Sequence, residues 1–512
     1  MLQFGMETKR ISHIIQTNAQ SITDKEFLEL ELQKFLASPI RKQMIEGDLY
    51  YNYEQAIKQK KRMVIGQDGI LVEDKQLPNK RFIDNQYGVM VDQKVNYLLS
   101  KPITFKTENE SYAEALNTIF HKRFHRTLKN LGKDSYNGGI GWLYVYYDEK
   151  GEFKIKKFHP WEVLAFWKDD DHTELDFVVR VYNIEAYEGN IEKIITYVEV
   201  YDTQGIHKFV LEGNTLLPDY STYYFEMPNT KGEVIPYNWD RIPLIPFKCN
   251  STETSLLKKC KSLQDGINEI LSNFADGMQE NASGNTILVI KNYDGENLGV
   301  FRHNLSQYKA VKVRTIDGAD GGVDSLQIEV NCENYKTILA ELRKALIHNC
   351  KGYDIEELKS SGSPNEMTIK AVYSSIDMDA NEIETEYQAS FEELLWFINQ
   401  HLKNIGVGDF TKEKIEVIFN RDMMVNESQI ITDINNSASL LSRKTLISQH
   451  PYVENPEKEL EQIQKEQQEE LEQYGYGNGF VDKNKLKDTT KEDNKKKDNQ
   501  HNKDNKDNKD NK

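Results

Sequence analysis

Four consecutive residues, Asp169-Asp170-Asp171-His172, are the first place in the chain where chemistry could reside. Carboxylates beside an imidazole are the ligand types of a metal-dependent nuclease or phosphoesterase. Adjacent side chains on an extended or turning segment diverge, however, and no neighbouring group is present in the sequence to orient them. The cluster therefore reads as a solvated loop between strands, with metal-dependent hydrolysis as the alternative. Gly138-Gly139-Ile140-Gly141 has the composition of a phosphate-cradling loop. It follows a helical pattern and precedes a strand, the reverse of the order a nucleotide loop needs. No GxxxxGK[ST], HExxH or GxSxG occurs, and the histidines are scattered. Cys249, Cys260, Cys332 and Cys350 form no CxxC pair and no zinc spacing, and read as small buried hydrophobes. The expectation is a protein without catalytic residues, metal or cofactor.

The elements that would position any site fall into three groups. Near the start, Thr23-Asp24-Lys25-Glu26 is a capping box opening a helix through Phe27, Leu28, Phe35 and Leu36, which Pro39 stops. A second amphipathic helix is expected from Asn85 to Leu99, and a third over Tyr112 to Tyr136. The pattern then turns to short strands, WLYVYYDEKGEFKIKKF, DFVVRVYNI, KIITYVEVYD and HKFVLEG, expected to form one antiparallel sheet packed on those helices. The fold class expected is α+β.

From Arg241 the chain changes character. After IPLIPFKCN, apolar residues at Leu256, Cys260, Leu263, Ile267, Ile270, Phe274 and Met278 draw one stripe down a long helix. An insert with strand-like TILVIKNYDGEN, YKAVKVRTI and SLQIEV follows, and a second striped helix through Tyr335, Ile338, Leu342 and Leu346 returns to about Cys350. The two helices make a hairpin with a miniature β domain at its tip. After the loop KGYDIEELKSSGS, Ser363-Pro364-Asn365-Glu366 gives a full helix start signal, and no Gly or Pro intervenes before Asn404. A helix of that length is a rod of roughly 60 Å, longer than an ordinary domain is wide. Strand-like KIEVIFN precedes helical segments over Glu427 to Gln449 and Glu457 to Tyr474. The Lys/Asp/Asn-rich remainder has almost nothing to bury and is expected to be disordered.

The chain has 512 residues, 38% hydrophobic and 29% charged, with a net charge of −17. Its length suits two to four domains. No apolar run approaches the roughly 20 residues of a membrane span, which argues against a transmembrane protein. The first residues lack a basic head followed by an apolar block, so export is not expected. An acidic total argues against a protein that grips nucleic acid, because phosphate binding relies on Lys and Arg displacing counterions. A protein that DNA must pass without sticking is another matter.

In this order, several blocks resemble the portal proteins of tailed bacteriophages, of the long-noncontractile-tail type found in phages of Gram-positive bacteria. They are GDLYYNYEQAI, NQYGVMVDQKVNYLLSKPITF, GWLYVYYDEKGE with FHPWEVLAF, RIPLIPFKCN, VIKNYDGENLGVFRHNL, VKVRTIDGADGGVDSLQIE, LLWFINQHLKN with GDFTKEKIEVIFNR, and HPYVENPEKELEQI. Together they span roughly Tyr50 to Glu470.

The resemblance implies a homo-oligomeric ring, typically of twelve subunits, at one capsid vertex of the virion, through which double-stranded DNA enters and leaves. It implies as partners the terminase large subunit, the head-completion and connector proteins, and the scaffolding and major capsid proteins, with no membrane and no cofactor. It divides the chain into an N-terminal region and α+β wing (1–250), stem helix (251–283), clip (284–331), second stem helix (332–350), tunnel loop (351–363), spanning helix with its return to the wing (364–425), crown (426–475) and tail (476–512). DNA-facing candidates are Lys351, Lys359, Ser360, Ser361 and Gly362. The clip tip Asn292, Tyr293, Asp294, Gly295, Glu296 and Asn297 would dock motor and connector. Leu256, Leu263, Ile267, Ile270 and Phe274 would pack the stem.

Twelve stem helices at about 10 Å spacing give a ring about 38 Å across on their axes. Subtracting one helix diameter leaves roughly 28 Å, enough for B-form duplex with little clearance. The competing readings are the metal-dependent enzyme and a helical scaffold or adaptor that forms no channel.

Overall fold

A computed structural model describes residues 24–65, 69–75, 77–228, 233–282, 287–291, 322–326, 332–354, 366–421, 427–453 and 456–475. The chain forms two compact units, 1–424 and 425–512. Thr23, the Ser363 start signal and the Lys/Asp/Asn-rich tail lie outside the described residues.

The first unit opens with α1 (Asp24–Ala37) and α2 (Pro39–Tyr51). Pro39 both ends one helix and starts the next. It sits in the first turn of α2, behind Ser38, whose Oγ accepts from Arg41 N at 3.1 Å. α2 runs so close to the chain at Asn137 that a Cβ on Gly47 would lie 2.1 Å from the Asn137 carbonyl oxygen. A small ribbon, β1 (Met63–Ile65) with β2 (Leu71–Glu73), precedes α3 (Gln86–Leu99), capped by Asn85 as its sequence requires.

β3 (Thr104–Lys106) leads to α4 (Glu110–Ile119) and α5 (Lys122–Gly138). The single helix expected over Tyr112 to Tyr136 is thus two. Phe120 leaves helical geometry and stacks on Phe105 with centroids 4.2 Å apart, beside Phe124 and Phe391. Burying that ring outweighs continuing the helix. Gly139 ends α5 with φ +90°, and a Cβ there would meet the Glu253 carbonyl oxygen at 2.0 Å.

The strands partition into two principal sheets rather than the one expected. β4 (Ile140–Tyr147) lies between β5 (Phe153–Phe158) and β13 (Leu244–Lys248). The other sheet has the order β10-β9-β8-β7-β6, from β6 (Val163–Trp167), β7 (Leu175–Glu188), β8 (Ile191–Asp202), β9 (Gly205–Glu212) and β10 (Thr215–Thr222). The chain crosses between them at His159-Pro160, where proline removes a ladder donor. β11 (Phe225–Pro228) and β12 (Val234–Tyr237) pair separately.

Two long helices follow: α6 (Leu256–Ala282) and, after β14 (Ile287–Lys291) paired antiparallel with β15 (Gly322–Leu326), α7 (Cys332–Asn349). α8 (Glu366–Asn404) is the expected rod. Its buried stripe, Ile369, Tyr373, Ile376, Ala380, Ile383, Tyr387, Phe391, Leu394, Ile398 and Leu402, is the backbone of the main core, which also takes in both faces of α3 and α5 and the inner strands. A second core sets Leu32 and Phe35 of α1 against Leu164, Phe166, Val179, Val181, Val198 and Val200. β16 (Glu416–Ile418) returns to pair with β3.

The second unit holds α9 (Glu427–Ser437), α10 (Arg443–Ser448) and α11 (Pro456–Gly475). The helix expected over Glu427 to Gln449 breaks at 438–442, where Ser442 caps α10 by accepting from Thr445 N. Ser439 and Ser442 there, after Asn435, Asn436 and Ser437 at the end of α9, favour caps over helix interior.

Candidate functional site

The hairpin of α6 and α7 is fixed to the body by a device the apolar stripe did not announce. Gln264, Asn268, Ser272 and Asp276 recur every four residues on α6, and all four are fully buried. Their partner is the segment 80–87, irregular up to Asn85 and entering α3 at Gln86, laid antiparallel along the helix. Lys80 N donates to Asp276 Oδ1 (2.7 Å), Phe82 N to Ser272 Oγ (3.0 Å), Asp84 N to Asn268 Oδ1 (2.9 Å) and Tyr87 N to Gln264 Oε1 (2.9 Å). The fit of the first three rungs is geometric: two extended residues advance about 6.6 Å and four helical ones about 6 Å, while the fourth rung comes from Tyr87 in the first turn of α3. Each rung gives a partner to a backbone donor that has no strand to pair with, part-buried at Lys80, Phe82 and Asp84 and buried at Tyr87. The ends are ionic. Lys60 Nζ lies 2.8 Å from Asp276, and Arg343 of α7 lies 2.7 Å from Asp84.

Of the expected stem stripe, Leu256 and Ile267 are buried, Leu263, Ile270 and Phe274 are half-buried, and Met278 is exposed. Phe274 meets Tyr335 across the hairpin with centroids 4.8 Å apart. The sequence carried a signal for the polar ladder in its strict four-residue spacing.

At the base of the hairpin the Cys260 and Cys350 thiols adjoin. The hydrogen bond with Cys350 and burial both push the Cys260 thiol up, so it stays protonated. α7 ends one residue before Cys350, and Lys351 takes φ +52° to turn the chain into the loop. That turn rests on a buried ion pair. Lys94 of α3, fully buried, reaches Asp379 of α8 at 2.6 Å, and Tyr136 OH donates to the same oxygen at 3.0 Å. Lys94 Nζ also reaches the Lys351 carbonyl at 3.5 Å. Burial holds the Lys94 ammonium below its ordinary pKa although Asp379 opposes the shift. The Lys351 ammonium pairs with Glu382 at 3.1 Å and stands 4.0 Å from Asp379. Gln93 clasps the next residues, donating to Tyr353 O at 3.1 Å and accepting from Tyr353 N at 3.4 Å.

Lys351 is therefore tied to the rod at the mouth of the loop. Lys359, Ser360, Ser361 and Gly362 lie outside the described residues, as do the clip-tip residues Asn292, Tyr293, Asp294, Gly295, Glu296 and Asn297. On the outer side of the rod, Arg421 bridges Asp377, Asn381 and Glu384.

The Asp169–His172 cluster is a structural turn. Asp169 accepts from Thr173 N and Glu174 N, both at 2.8 Å. His172 stacks on Trp167 and bonds Glu253 through Nδ1 at 2.7 Å, while Lys248 reaches the carbonyls of Asp171 and His172. Among the described residues no group of three His, Cys, Asp or Glu side chains is disposed to hold a metal ion. No described helix is long and apolar enough to cross a membrane.

Comparison with known proteins agrees with this architecture. The portal protein of Bacillus phage SPP1 is 28% identical over 474 residues, covering 91% of this chain and 92% of that protein. The portal protein of Clostridium phage phiCD119 is 25% identical over 450 residues, covering 84% and 94% respectively. The sequence profile described as phage portal protein, SPP1 Gp6-like, matches residues 39–473, from the proline that opens α2 into the last turn of α11, so the chain belongs to that family of phage portal proteins.

Proposed function

We propose that copies of this chain close into a ring, twelve-fold as the family resemblance implies and with a bore that the packing arithmetic finds wide enough, around a channel for double-stranded DNA at one capsid vertex. The α6/α7 hairpin stands along the channel as its stem. The β14/β15 insert, with its tip at 292–297, faces the terminase large subunit during packaging and the head-completion and connector proteins afterwards. The wing meets scaffolding and major capsid proteins, and assembly takes place in the host cytoplasm before the ring becomes part of the virion. The protein is a conduit and not an enzyme, and the motor's chemistry belongs to its partner.

The observation that carries this reading is the anchorage of 351–354. The hairpin's returning helix runs into a loop whose first residues are tied through Lys94, Asp379 and Glu382 to both α3 and the rod. A loop held so firmly at its mouth is suited to present Lys359, Ser360, Ser361 and Gly362 to a lumen. In that arrangement Lys351 anchors and Lys359 touches phosphate, one weak contact in an otherwise acidic wall that repels the duplex from all sides.

Electron microscopy and native mass measurement of the purified protein test the ring, and a monodisperse monomer at every concentration would rule it out. Lys359→Ala is expected to leave ring mass unchanged and to alter the DNA packaging rate. Unchanged packaging would remove Lys359 from the lumen.

A further inference from the structure

The strands β7 and β8 outrun their sheet. β6 pairs with β7 only as far as Arg180, and β9 pairs with β8 only from Tyr197, yet β7 and β8 stay paired to Glu188 and Ile191. Residues 183–196 thus form a two-stranded ribbon about 20 Å long, beyond the last residues, Val181 and Val198, that pack in the core under α1. A lone ribbon of two strands is marginal in water. This one nonetheless exposes Tyr187 (72%), Ile191 (73%) and Ile194 (62%). The register sets Tyr187 and Ile194 on one face, diagonal to each other, together with Glu185 and Glu192. Neither carboxylate has an ion-pair partner among the described residues.

The same wing carries the complement. Lys156 on β5 lies over the rings of Tyr144, Tyr146 and Phe158, at 5.3, 4.7 and 5.5 Å from their centroids. Among the described residues its ammonium meets no carboxylate within ion-pair distance. It is a surface cation set among aromatics, on a chain whose net charge is −17.

We propose that the ribbon docks on a second copy of this chain, its Tyr187/Ile194 face against Tyr146 and its Glu185 and Glu192 carboxylates around Lys156. The occupant follows from charge and symmetry. Two carboxylates without an ion-pair partner flanking apolar side chains match one exposed ammonium flanked by rings, the Glu199 carboxylate that acts on it being already paired with Arg180 and Lys208. A contact between two different patches of one chain is the heterologous kind that repeats around a ring. The inference rests on the ring reading above.

The test uses the full-length protein. Glu185→Lys combined with Glu192→Lys, and separately Lys156→Glu, should each raise the concentration of half-assembly about tenfold or more, the scale of like charges meeting at an interface. The three substitutions together should restore it. Circular dichroism melts reporting an unchanged fold would keep the loss attributable to association. In a Cys332→Ser background, Tyr146→Cys with Ile194→Cys should give a ladder of disulfide-linked oligomers. Rings that form normally with reversed charges, or the absence of that ladder in intact rings, would overturn the docking while leaving the ring in place. Restored assembly on deleting residues 1–23 in the reversed variants would instead assign the ribbon face to that segment, and so overturn it too. Wild-type protein that never forms rings would overturn the ring reading itself.

Discussion

Breaking the Lys94–Asp379 pair from either side should cost unequal amounts. Both side chains lie in the core between α3 and α8, 2.6 Å apart. Lys94→Met leaves the carboxylate with the Tyr136 hydroxyl at 3.0 Å and the Lys351 ammonium at 4.0 Å, so the loss should fall near about 3 kcal/mol, the low end for a broken buried pair. Asp379→Asn leaves a buried ammonium with no counter-charge, facing only neutral acceptors: the introduced amide oxygen and the Lys351 carbonyl at 3.5 Å. That ammonium can escape by deprotonating, which sets a ceiling. Moving a lysine from an unfolded pKa of 10.5 to neutral at pH 7 costs about 1.4 kcal/mol per pH unit, or about 5 kcal/mol. Because the folded pKa is depressed, the unfolded chain binds more protons between the two values, and stability rises with pH there. The deficit of Asp379→Asn should therefore shrink by up to about 2.7 kcal/mol between pH 7 and pH 9. The deficit of Lys94→Met should not. Combining the two substitutions should cost less than Asp379→Asn alone, since no buried charge is left over. Urea unfolding followed by tryptophan fluorescence at both pH values measures all of this. Equal single deficits, an additive double variant, or a pH-independent Asp379→Asn would refute the assignment of the pair as a buried, desolvated one.

Three further outcomes are expected. Asp276→Ala removes the acceptor of Lys80 N and the partner of Lys60, and should destabilise by about 3 kcal/mol while speeding amide exchange at 80–84. Phe274→Asp puts a charge against Tyr335 in a half-buried seam. It should cost about 1–3 kcal/mol in urea unfolding, and unchanged stability would remove Phe274 from the hairpin contact. Burial alone would raise the Glu199 pKa, but hydrogen bonds from Tyr201, Lys208 and Tyr182 outweigh it and hold the group below its ordinary 4.5. Its stabilisation is present above pH 4.5 and lost as pH falls through the lowered value, so Glu199→Gln should flatten the acid limb of the stability profile.

What the sequence reveals divides along a physical line. The α8 stripe was legible because a single period repeated ten times, and Asn85 because a cap needs only its own neighbours. The division of the strands into two sheets was not, since it depends on how a turn at Pro160 redirects the chain in space. Nor was the break at Phe120, where the rings of Phe105 and, far along the chain, Phe391 compete with local helix propensity. The polar ladder on α6 was half-legible. Its spacing is visible, but its partner lies some 190 residues earlier and has no regular pattern of its own. Lys94 and Asp379, 285 residues apart, left no local trace. The roles proposed for the loop and clip come from the family resemblance, since no residue pattern announced them.

The strap on α6 is repetitive in a way its ends are not. Sliding the helix by one turn would bring Ser272, Asn268 and Gln264 opposite Lys80, Phe82 and Asp84, and each would again offer an oxygen to a main-chain N–H. The rungs alone cannot tell one seating from the next, like teeth on a rack. Lys60 with Asp276 and Arg343 with Asp84 are the pawls: they recognise one tooth and no other. The axial height of the hairpin is thereby marked at these two charge pairs, and side chains off the rack hold the same seating, Tyr50 donating to Asp265 at 2.6 Å and Gln55 accepting from Asn268 at 2.5 Å.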